Sequence, residues 1–298
     1  MAARLRVATR GSALARWQAD AVVARLGIDG ADVEIVVVTT TGDSRTDVPI
    51  HSLGGTGVFV KEVQEAVLSG AADVAVHSAK DLPSETAPGL VLAAVPERAD
   101  ARDALVGARL ADLAPGARVG TGAVRRRAQL AHARPDLTFG ELRGNIATRL
   151  AKAADFDAVV VAVAALERLG LTEAIAERLD PATLLPQVGQ GALAVECRAD
   201  DDATRAVLAA IDDADAHRAV AAERAFLARL GGGCDLPVGG HATVTPDGIS
   251  LTVLLASLDG TRVVRAGAEG TDPIAVGDDA ARRLLDDEGG RALLEEIA

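Results

Sequence analysis

Residues 73–83, Asp73-Val-Ala-Val-His-Ser-Ala-Lys-Asp-Leu-Pro83, combine a buried-type strand with a polar cluster at its carboxyl end. A helical pattern at residues 58–68 precedes this strand, and another strand-like run follows at residues 90–95. Strands that alternate with helices favour a parallel sheet. Open α/β sheets bind ligands at the carboxyl ends of their strands. The stretch therefore predicts an α/β fold with a ligand site near Lys80 and Asp81.

The same alternation of apolar runs and helical patterns recurs along most of the chain. Further strand-like runs lie at residues 5–8, 33–38, 118–120, 137–142, 158–162 and 193–196. Beyond Ala214 a long helix is followed by short strands, with Asp247-Gly248 and Asp259-Gly260 between them. Because Asp-Gly is a strong hairpin signal, this region predicts a small α+β domain with an antiparallel sheet.

The composition excludes several classes of protein. Aromatic residues make up 2% of the 298 residues and the net charge is -12, so neither base stacking nor attraction to phosphate backbones is expected. The chain has two cysteines, no signal-peptide pattern and no run of roughly 18 apolar residues. We therefore expect a cytoplasmic protein with reduced thiols that binds neither nucleic acid nor membranes.

Several arginines stand directly after predicted strands or at the beginnings of predicted helices. They are Arg10, Arg125, Arg126, Arg143 and Arg149. A cation at a helix N-terminus opposes the helix dipole, so its repeated placement there indicates a ligand with several anionic groups. Any one of these arginines, taken singly, is better explained as a solvated surface residue. Their recurrence favours the anionic ligand.

Lys80-Asp81 is the sharpest candidate for chemistry. An aspartate beside a lysine and an arginine-rich site would stay ionised, and it would be able to hold a developing cation or to move a proton. The alternative is a helix cap or a surface ion pair of small energetic value. The five histidines show no metal-ligand spacing, and the chain has no phosphate loop or nucleophile elbow. No metal or nucleotide is therefore predicted.

A glycine-rich stretch, Leu230-Gly-Gly-Gly-Cys-Asp-Leu-Pro-Val-Gly-Gly240, places Cys234 on a loop with few Cβ atoms. Such a backbone can come close to a bulky group. A buried, inert cysteine in a glycine-rich turn is the other interpretation, and most free cysteines are of that kind. The loop by itself leaves both interpretations open.

Taken together, the motifs resemble those of the porphobilinogen deaminase family, also called hydroxymethylbilane synthases. The resemblance runs in order from about residue 5 to the C-terminus. It rests on Thr9-Arg-Gly-Ser12, Phe59-Val-Lys-Glu62, His77-Ser-Ala-Lys-Asp-Leu-Pro83, Leu142-Arg-Gly-Asn145, Thr148-Arg-Leu150, Val188-Gly-Gln-Gly-Ala192, Glu196-Cys-Arg198 and Gly232-Gly-Cys234.

The resemblance implies two α/β domains like those of type II periplasmic binding proteins, arranged around a cleft, and a small C-terminal α+β domain that carries the cofactor cysteine. On this sequence the first domain corresponds to residues 1–95 with 191–210, the second to 98–188 and the third to 213–298. We expect the chain to be a monomer.

The resemblance also implies a transferase reaction. Members of the family add four porphobilinogen molecules head to tail to a covalent dipyrromethane cofactor, release ammonia at each addition, and free hydroxymethylbilane by hydrolysis. Cys234 matches the cysteine that holds the cofactor through a thioether, whereas Cys197 does not. Asp81 matches the catalytic aspartate, which stabilises the cation formed when ammonia leaves.

Other matched positions bind the cofactor or the substrate in the family. The cofactor positions are Ser12, Lys80, Thr121, Arg125, Arg126 and Arg149. The substrate positions are Arg10, Phe59, Arg143, Arg149, Arg168 and Gln190. Because the pyrroles carry acetate and propionate groups, bidentate binding of carboxylates explains the number of arginines.

The chain departs from the family pattern in two loops. Where the family reads Gly-Gly-Lys-Gly, this chain has Gly54-Gly-Thr-Gly57, and Ser52 stands at a position that is often basic. Gly122 and Ala123 replace two serines near the cofactor. Each lost hydrogen bond to a charged group is worth roughly 1.5–3 kcal/mol. We expect altered turnover or cofactor retention and no loss of activity.

Two other functions explain the sequence less well. A two-lobed carboxylate-binding protein would need an export signal and would not explain a thiol on a glycine-rich loop. A thiol acyltransferase would need a histidine base near Cys234. His241 is near in sequence, but the sequence does not establish that it is near in space.

Overall fold

The computed structural model describes residues 4–28, 32–44, 57–232 and 236–297. The chain forms two compact units, of which the first comprises Met1–Ala99 and Ala192–His217 and the second Asp100–Gly191 and Arg218–Ala298. The finer division into three domains stays a prediction. Ser52, Thr56 and Cys234 lie outside the described residues.

Strands and helices alternate through most of the described chain. The strands are β1 (Leu5–Arg10), β2 (Val33–Val38), β3 (Val74–Ser78), β4 (Leu90–Ala94), β5 (Asp103–Val106), β6 (Arg118–Gly120), β7 (Thr138–Gly140), β8 (Ala158–Ala162), β9 (Glu177–Arg178), β10 (Leu193–Arg198), β11 (Val238–Thr245), β12 (Gly248–Ala256) and β13 (Val263–Gly270). The helices are α1 (Ala13–Leu26), α2 (Thr41–Ser44), α3 (Lys61–Leu68), α4 (Val124–Ala133), α5 (Ile146–Ala151), α6 (Val163–Arg168), α7 (Asp202–Leu208), α8 (Ala214–Leu230), α9 (Pro273–Arg282) and α10 (Gly290–Ile297).

The sheet of the first unit has the strand order β2-β1-β3-β10-β4. β1 runs parallel to β2 and β3, whereas β10 runs antiparallel to β3 and β4. Helices cover both faces, α1 through Ala19 and Val22 and α3 through Val63 and Val67. Burial on both faces explains why these strands read as continuous apolar runs.

The second unit contains a sheet of matching topology, with the order β7-β6-β8-β5-β9. β6 runs parallel to β7 and β8, and β5 runs antiparallel to β8 and β9. In both sheets the antiparallel strand comes from a distant part of the chain, so no crossover helix makes it parallel. The prediction of parallel sheets was therefore right for four strands of each sheet and wrong for β5 and β10.

The second unit also contains the antiparallel sheet β11-β12-β13. Thr245 pairs with Gly248, so a tight turn joins β11 to β12 where the Asp-Gly signal predicted a hairpin. Phe226 of α8 is fully buried and packs in one cluster with Leu251 of β12 and Val276 of α9. The predicted fold class, two α/β sheets and a smaller α+β part, is confirmed.

Candidate active site

A pocket in the first unit lies at the carboxyl ends of β1 and β3. Its lining includes Arg10, Ser12, Phe59, His77 and Asp81. The main-chain ends of parallel strands meet at this edge of the sheet, which is where α/β folds place their ligands. The structure therefore brings together four of the predicted site residues and one histidine that the prediction did not use.

Asp81 is half-buried in a single 3₁₀ turn, Ala79–Asp81, that directly follows β3. The turn is anchored because the Ala79 backbone N–H donates to the Ala192 carbonyl at 3.0 Å and Ala79 itself is buried. Ser78 accepts a hydrogen bond from the Gln18 side chain at 2.8 Å. The carboxylate of Asp81 is thus held on a short, fixed connection at the end of a central strand. Lys80, its neighbour in this turn, is also half-buried.

Arg10 and Phe59 form a cation–π pair at the same edge. The guanidinium carbon of Arg10 lies 4.1 Å from the centre of the Phe59 ring. Arg10 is the last residue of β1, and Phe59 lies just before α3, so elements on both sides of the pocket hold the pair. A ring in this position fixes the direction in which the arginine approaches an anion.

Ser12 is the N-cap of α1. Its hydroxyl oxygen accepts a hydrogen bond from the Ala15 backbone N–H at 3.2 Å, which satisfies one of the free donors of the first helical turn. Ser12 therefore has a structural role, and its own hydroxyl hydrogen is compatible with the predicted role in cofactor binding.

Gln64, His77 and Glu196 form a buried trio next to the pocket that was not predicted from the sequence. Glu196 on β10 is fully buried, accepts a hydrogen bond from Gln64 at 2.8 Å and lies 3.2 Å from the Nε2 atom of His77. The other oxygen of Glu196 is buried without a hydrogen-bond partner among the described residues. The sequence signal was a charged residue inside an otherwise apolar strand, since such a group is rarely buried unless it is paired.

In the second unit, Arg125 and Arg126 open helix α4 and are almost fully buried, with 4% and 5% of their surface exposed. Both are paired with Asp103, the first residue of β5, at N–O distances of 2.7 Å. Burial acts to raise the pKa of Asp103, but the two guanidinium groups outweigh it and hold the pKa well below its ordinary value. Asp103 was not predicted as a site residue.

Three further predicted residues of this unit bond to the protein backbone or to Asp103. Gln190 is fully buried and donates to the Ala101 carbonyl at 2.7 Å and to Asp103 at 3.0 Å. Arg168 donates to the Gly191 carbonyl at 2.6 Å. The hydroxyl of Thr121 accepts from the Ala123 backbone N–H at 3.2 Å, and the side chain is buried.

Arg143 and Arg149 flank the beginning of α5. Asn145 caps this helix by accepting from the Thr148 backbone N–H at 2.9 Å, and Arg149 donates through Nε to the Gly144 carbonyl at 2.8 Å. Gly144 has φ of 111°, and a Cβ atom there would lie 2.7 Å from the Thr148 side chain, so the position requires glycine. The Nη1 atom of Arg143 is buried and has no hydrogen-bond partner in the described part of the chain.

The two cysteines differ in what the structure describes of them. Cys197 lies on β10 in the apolar core of the first unit and is fully buried. Burial raises the pKa of its thiol, which makes the reactive thiolate scarcer. Cys234, the predicted anchor of the cofactor, is outside the described residues.

Metal and membrane sites were also sought in the described ranges. Within residues 4–28, 32–44, 57–232 and 236–297, no group of three or more His, Cys, Asp or Glu side chains is arranged to hold a metal ion. No helix in these same ranges is both long and apolar enough to cross a membrane.

The fold and the residues at its strand ends define an α/β protein with a carboxylate, Asp81, and a cation, Arg10, in one pocket at the carboxyl ends of its strands. Residues 5–206 match the family model described as porphobilinogen deaminase, dipyromethane cofactor binding domain, and residues 217–286 match its C-terminal domain. The chain belongs to the porphobilinogen deaminase family. It is therefore an enzyme, a transferase of tetrapyrrole synthesis with a dipyrromethane cofactor.

Individual relatives match over almost their whole length. Porphobilinogen deaminase of Trichlorobacter lovleyi is 46% identical, with 99% of this chain and 96% of the relative covered. The enzyme of Syntrophotalea carbinolica is 48% identical over 94% of this chain and 92% of its own. That of Roseiflexus castenholzii is 48% identical, covering 97% of this chain and 98% of the relative.

Proposed function

We propose that the chain joins four porphobilinogen molecules head to tail, releases one ammonia at each addition, and frees hydroxymethylbilane by hydrolysis. The observation that carries this proposal is the position of Asp81, a half-buried carboxylate on an anchored turn beside Arg10 and Phe59. A fixed negative charge in such a pocket favours a cation that develops on a bound pyrrole as ammonia departs.

Asp81 is proposed as the catalytic residue. Its carboxylate would accept hydrogen bonds from pyrrole N–H groups and stabilise the positive charge that follows the loss of ammonia. It would also accept the proton that the pyrrole ring must lose once the new carbon–carbon bond has formed. The anchored turn keeps the carboxylate in place, which reduces the reorganisation that the reaction requires.

The cofactor is proposed to be attached to Cys234. When bound, dipyrromethane supplies the pyrrole carbon to which the first substrate is joined. The positions proposed to hold it are Ser12, Lys80, Thr121, Arg125, Arg126 and Arg149. Incoming substrate is assigned to Arg10, Phe59, Arg143, Arg149, Arg168 and Gln190.

Two atoms support the fit of this set to carboxylates. Within the described residues, Nη1 of Arg143 and Nε of Arg125 are buried without a hydrogen-bond partner. A buried guanidinium N–H without an acceptor is costly, and a ligand carboxylate would satisfy it. Acetate and propionate side chains of pyrroles supply that kind of acceptor.

The enzyme is further proposed to act as a monomer in the cytoplasm, without nucleic-acid or membrane partners. The net charge of -12 supports the first of these exclusions.

Intact-mass spectrometry, combined with an assay of porphobilinogen consumption, tests the proposal. We expect purified chain that has been incubated with porphobilinogen to carry the added mass of two linked pyrroles on Cys234 and to release hydroxymethylbilane. An unmodified Cys234 in a chain that consumes no porphobilinogen would refute the function.

A further inference from the structure

Three charged groups are buried together in the second unit. Asp103 is fully buried, and Arg125 and Arg126 are almost so. Charged side chains are rarely buried to this degree unless they are paired. Asp103 begins β5, whereas the two arginines lie in the first turn of α4, so the cluster joins a strand to the start of a helix.

The two carboxylate oxygens of Asp103 are divided between the arginines. Oδ2 accepts from Nη2 of Arg125 at 2.7 Å, and Oδ1 accepts from Nη2 and Nε of Arg126 at 2.7 and 3.1 Å. Gln190 donates a further bond to Oδ1 at 3.0 Å. Each guanidinium therefore binds a different oxygen of Asp103. Gln190 holds this carboxylate, which in turn orients Arg125 and Arg126.

Backbone carbonyls also hold the two guanidinium groups in place. Arg125 donates through Nη1 to the Leu185 carbonyl at 2.5 Å, and Arg126 donates through Nη1 to the Val160 carbonyl at 3.1 Å. Neither side chain is free to turn, since opposite edges of each guanidinium are bonded. A planar group fixed in this way presents its remaining N–H bonds in one direction.

The cluster carries an excess of positive charge. One carboxylate faces two guanidinium groups, and Nε of Arg125 is buried without a partner in the described chain. A single arginine would already balance Asp103, so stability alone does not explain the second one. Burying an uncompensated charge is costly, and one more anion would offset that cost.

We propose that Asp103 is a positioning residue that, held by Gln190, orients Arg125 and Arg126 and leaves them the net charge to bind one carboxylate of the dipyrromethane cofactor. This inference rests on the proposed function, in which both arginines bind the cofactor. Asp103 itself touches no ligand. It acts by fixing the guanidinium planes and by neutralising one of the two charges.

Substitution Asp103→Asn in the full chain tests the proposal, because it preserves shape and removes the charge. We expect the fraction of chains that carry dipyrromethane after incubation with porphobilinogen, measured by intact mass, to fall at least fivefold.

Asp100→Asn is the matched control. Asp100 also pairs with two arginines, Arg102 at 2.7 Å and Arg178 at 3.1 Å, but neither of these is a predicted ligand-binding residue. We expect this variant to lose stability and to load fully. A loss of loading in both variants at equal thermal stability would show a general structural effect and overturn the proposal.

Two further arms make every outcome decisive. If Asp103→Asn does not fold, Asp103→Glu replaces it, because glutamate keeps the charge and displaces the carboxylate oxygens. Full cofactor loading of either folded variant overturns the proposal. Failure of both variants to fold also overturns it. Arg125→Gln and Arg126→Gln test the proposed function separately. Reduced loading in the arginine variants with full loading in a folded Asp103 variant refutes the positioning role alone.

Discussion

The guanidinium of Arg10 lies over the ring of Phe59, 4.1 Å from its centre, and both side chains line the pocket that Asp81 also lines. The pair joins the end of β1 to the segment before α3. The ring therefore orients a cation that the proposed function assigns to a substrate carboxylate.

Replacing Phe59 by Leu should weaken substrate binding without abolishing turnover. A cation–π contact at an accessible site contributes about 0.5–1 kcal/mol, so we expect KM for porphobilinogen to rise about two- to fivefold. Steady-state kinetics on cofactor-loaded enzyme measures this change. Phe156→Leu is the control, because Arg118 lies 4.8 Å from the Phe156 ring centre in the second unit and neither residue is assigned to the substrate. Equal KM values for Phe59→Leu and unaltered enzyme would contradict the role of the pair.

The two cysteines should behave differently when each is replaced by alanine. Cys234→Ala should abolish the covalent mass increment, because it removes the proposed thioether. Cys197→Ala should retain the increment and lose about 1 kcal/mol of stability, since Cys197 packs in the core as a small apolar group. Intact-mass spectrometry measures the covalent mass increment of each variant, and denaturant unfolding measures its stability. A mass increment on Cys234→Ala would show that the anchor lies elsewhere.

Glu196 should stabilise the first unit through His77 and Gln64. A hydrogen bond to a charged group is worth about 1.5–3 kcal/mol, so Glu196→Gln, which weakens the bond from Gln64, should lower the free energy of unfolding by up to about that amount. The double variant with His77→Gln should lose clearly less than the sum of the single variants, because the two side chains lie 3.2 Å apart. Urea unfolding of the unaltered chain, the two single variants and the double variant measures these losses of stability. Additive losses would mean that the two side chains do not interact.

Acid should remove the contribution of Asp73 to the free energy of unfolding. Arg6 donates to this carboxylate through its backbone N–H at 2.9 Å and through Nη2 at 2.6 Å. Burial acts to raise the pKa of Asp73, but these hydrogen bonds and the charge of Arg6 outweigh it and lower the pKa. A carboxylate with a lowered pKa stabilises the fold above its unfolded value of about 3.9, and that stabilisation is lost as the pH falls through the folded value.

The stability difference between unaltered chain and Asp73→Asn should therefore be constant from about pH 7 to pH 5 and should shrink below about pH 4. Urea unfolding over this range tests it, with exposed Asp200→Asn as the control. A difference that stays constant to about pH 3 would contradict a lowered pKa.

Local patterns predicted the parts of the fold that local chemistry determines. The run before Asp81 reads as a strand followed by a polar turn, and both elements are present. Ordered motifs, and not the residues of the glycine loop alone, distinguished Cys234 from Cys197.

Pairings between distant residues were not predictable in the same way. Asp103 stands at the end of a charged stretch, residues 96–103, yet it begins β5 and is fully buried against Arg125 and Arg126. Glu196 meets Gln64 across 132 positions of sequence. Such partners are selected by strand order, and a single sequence contains no local signal for them. The antiparallel direction of β5 and β10 was missed for the same reason.

The most direct test of the account is the rate of ammonia release by Asp81→Asn in protein whose intact mass shows the cofactor attached. Asparagine keeps the size of the side chain and removes the charge that is proposed to stabilise the cation. We predict a correctly folded protein that releases ammonia at least a hundredfold more slowly, in line with the usual contribution of a positioned acid–base or electrostatic group. Ammonia release at a rate near that of the unaltered enzyme would contradict the catalytic role of Asp81.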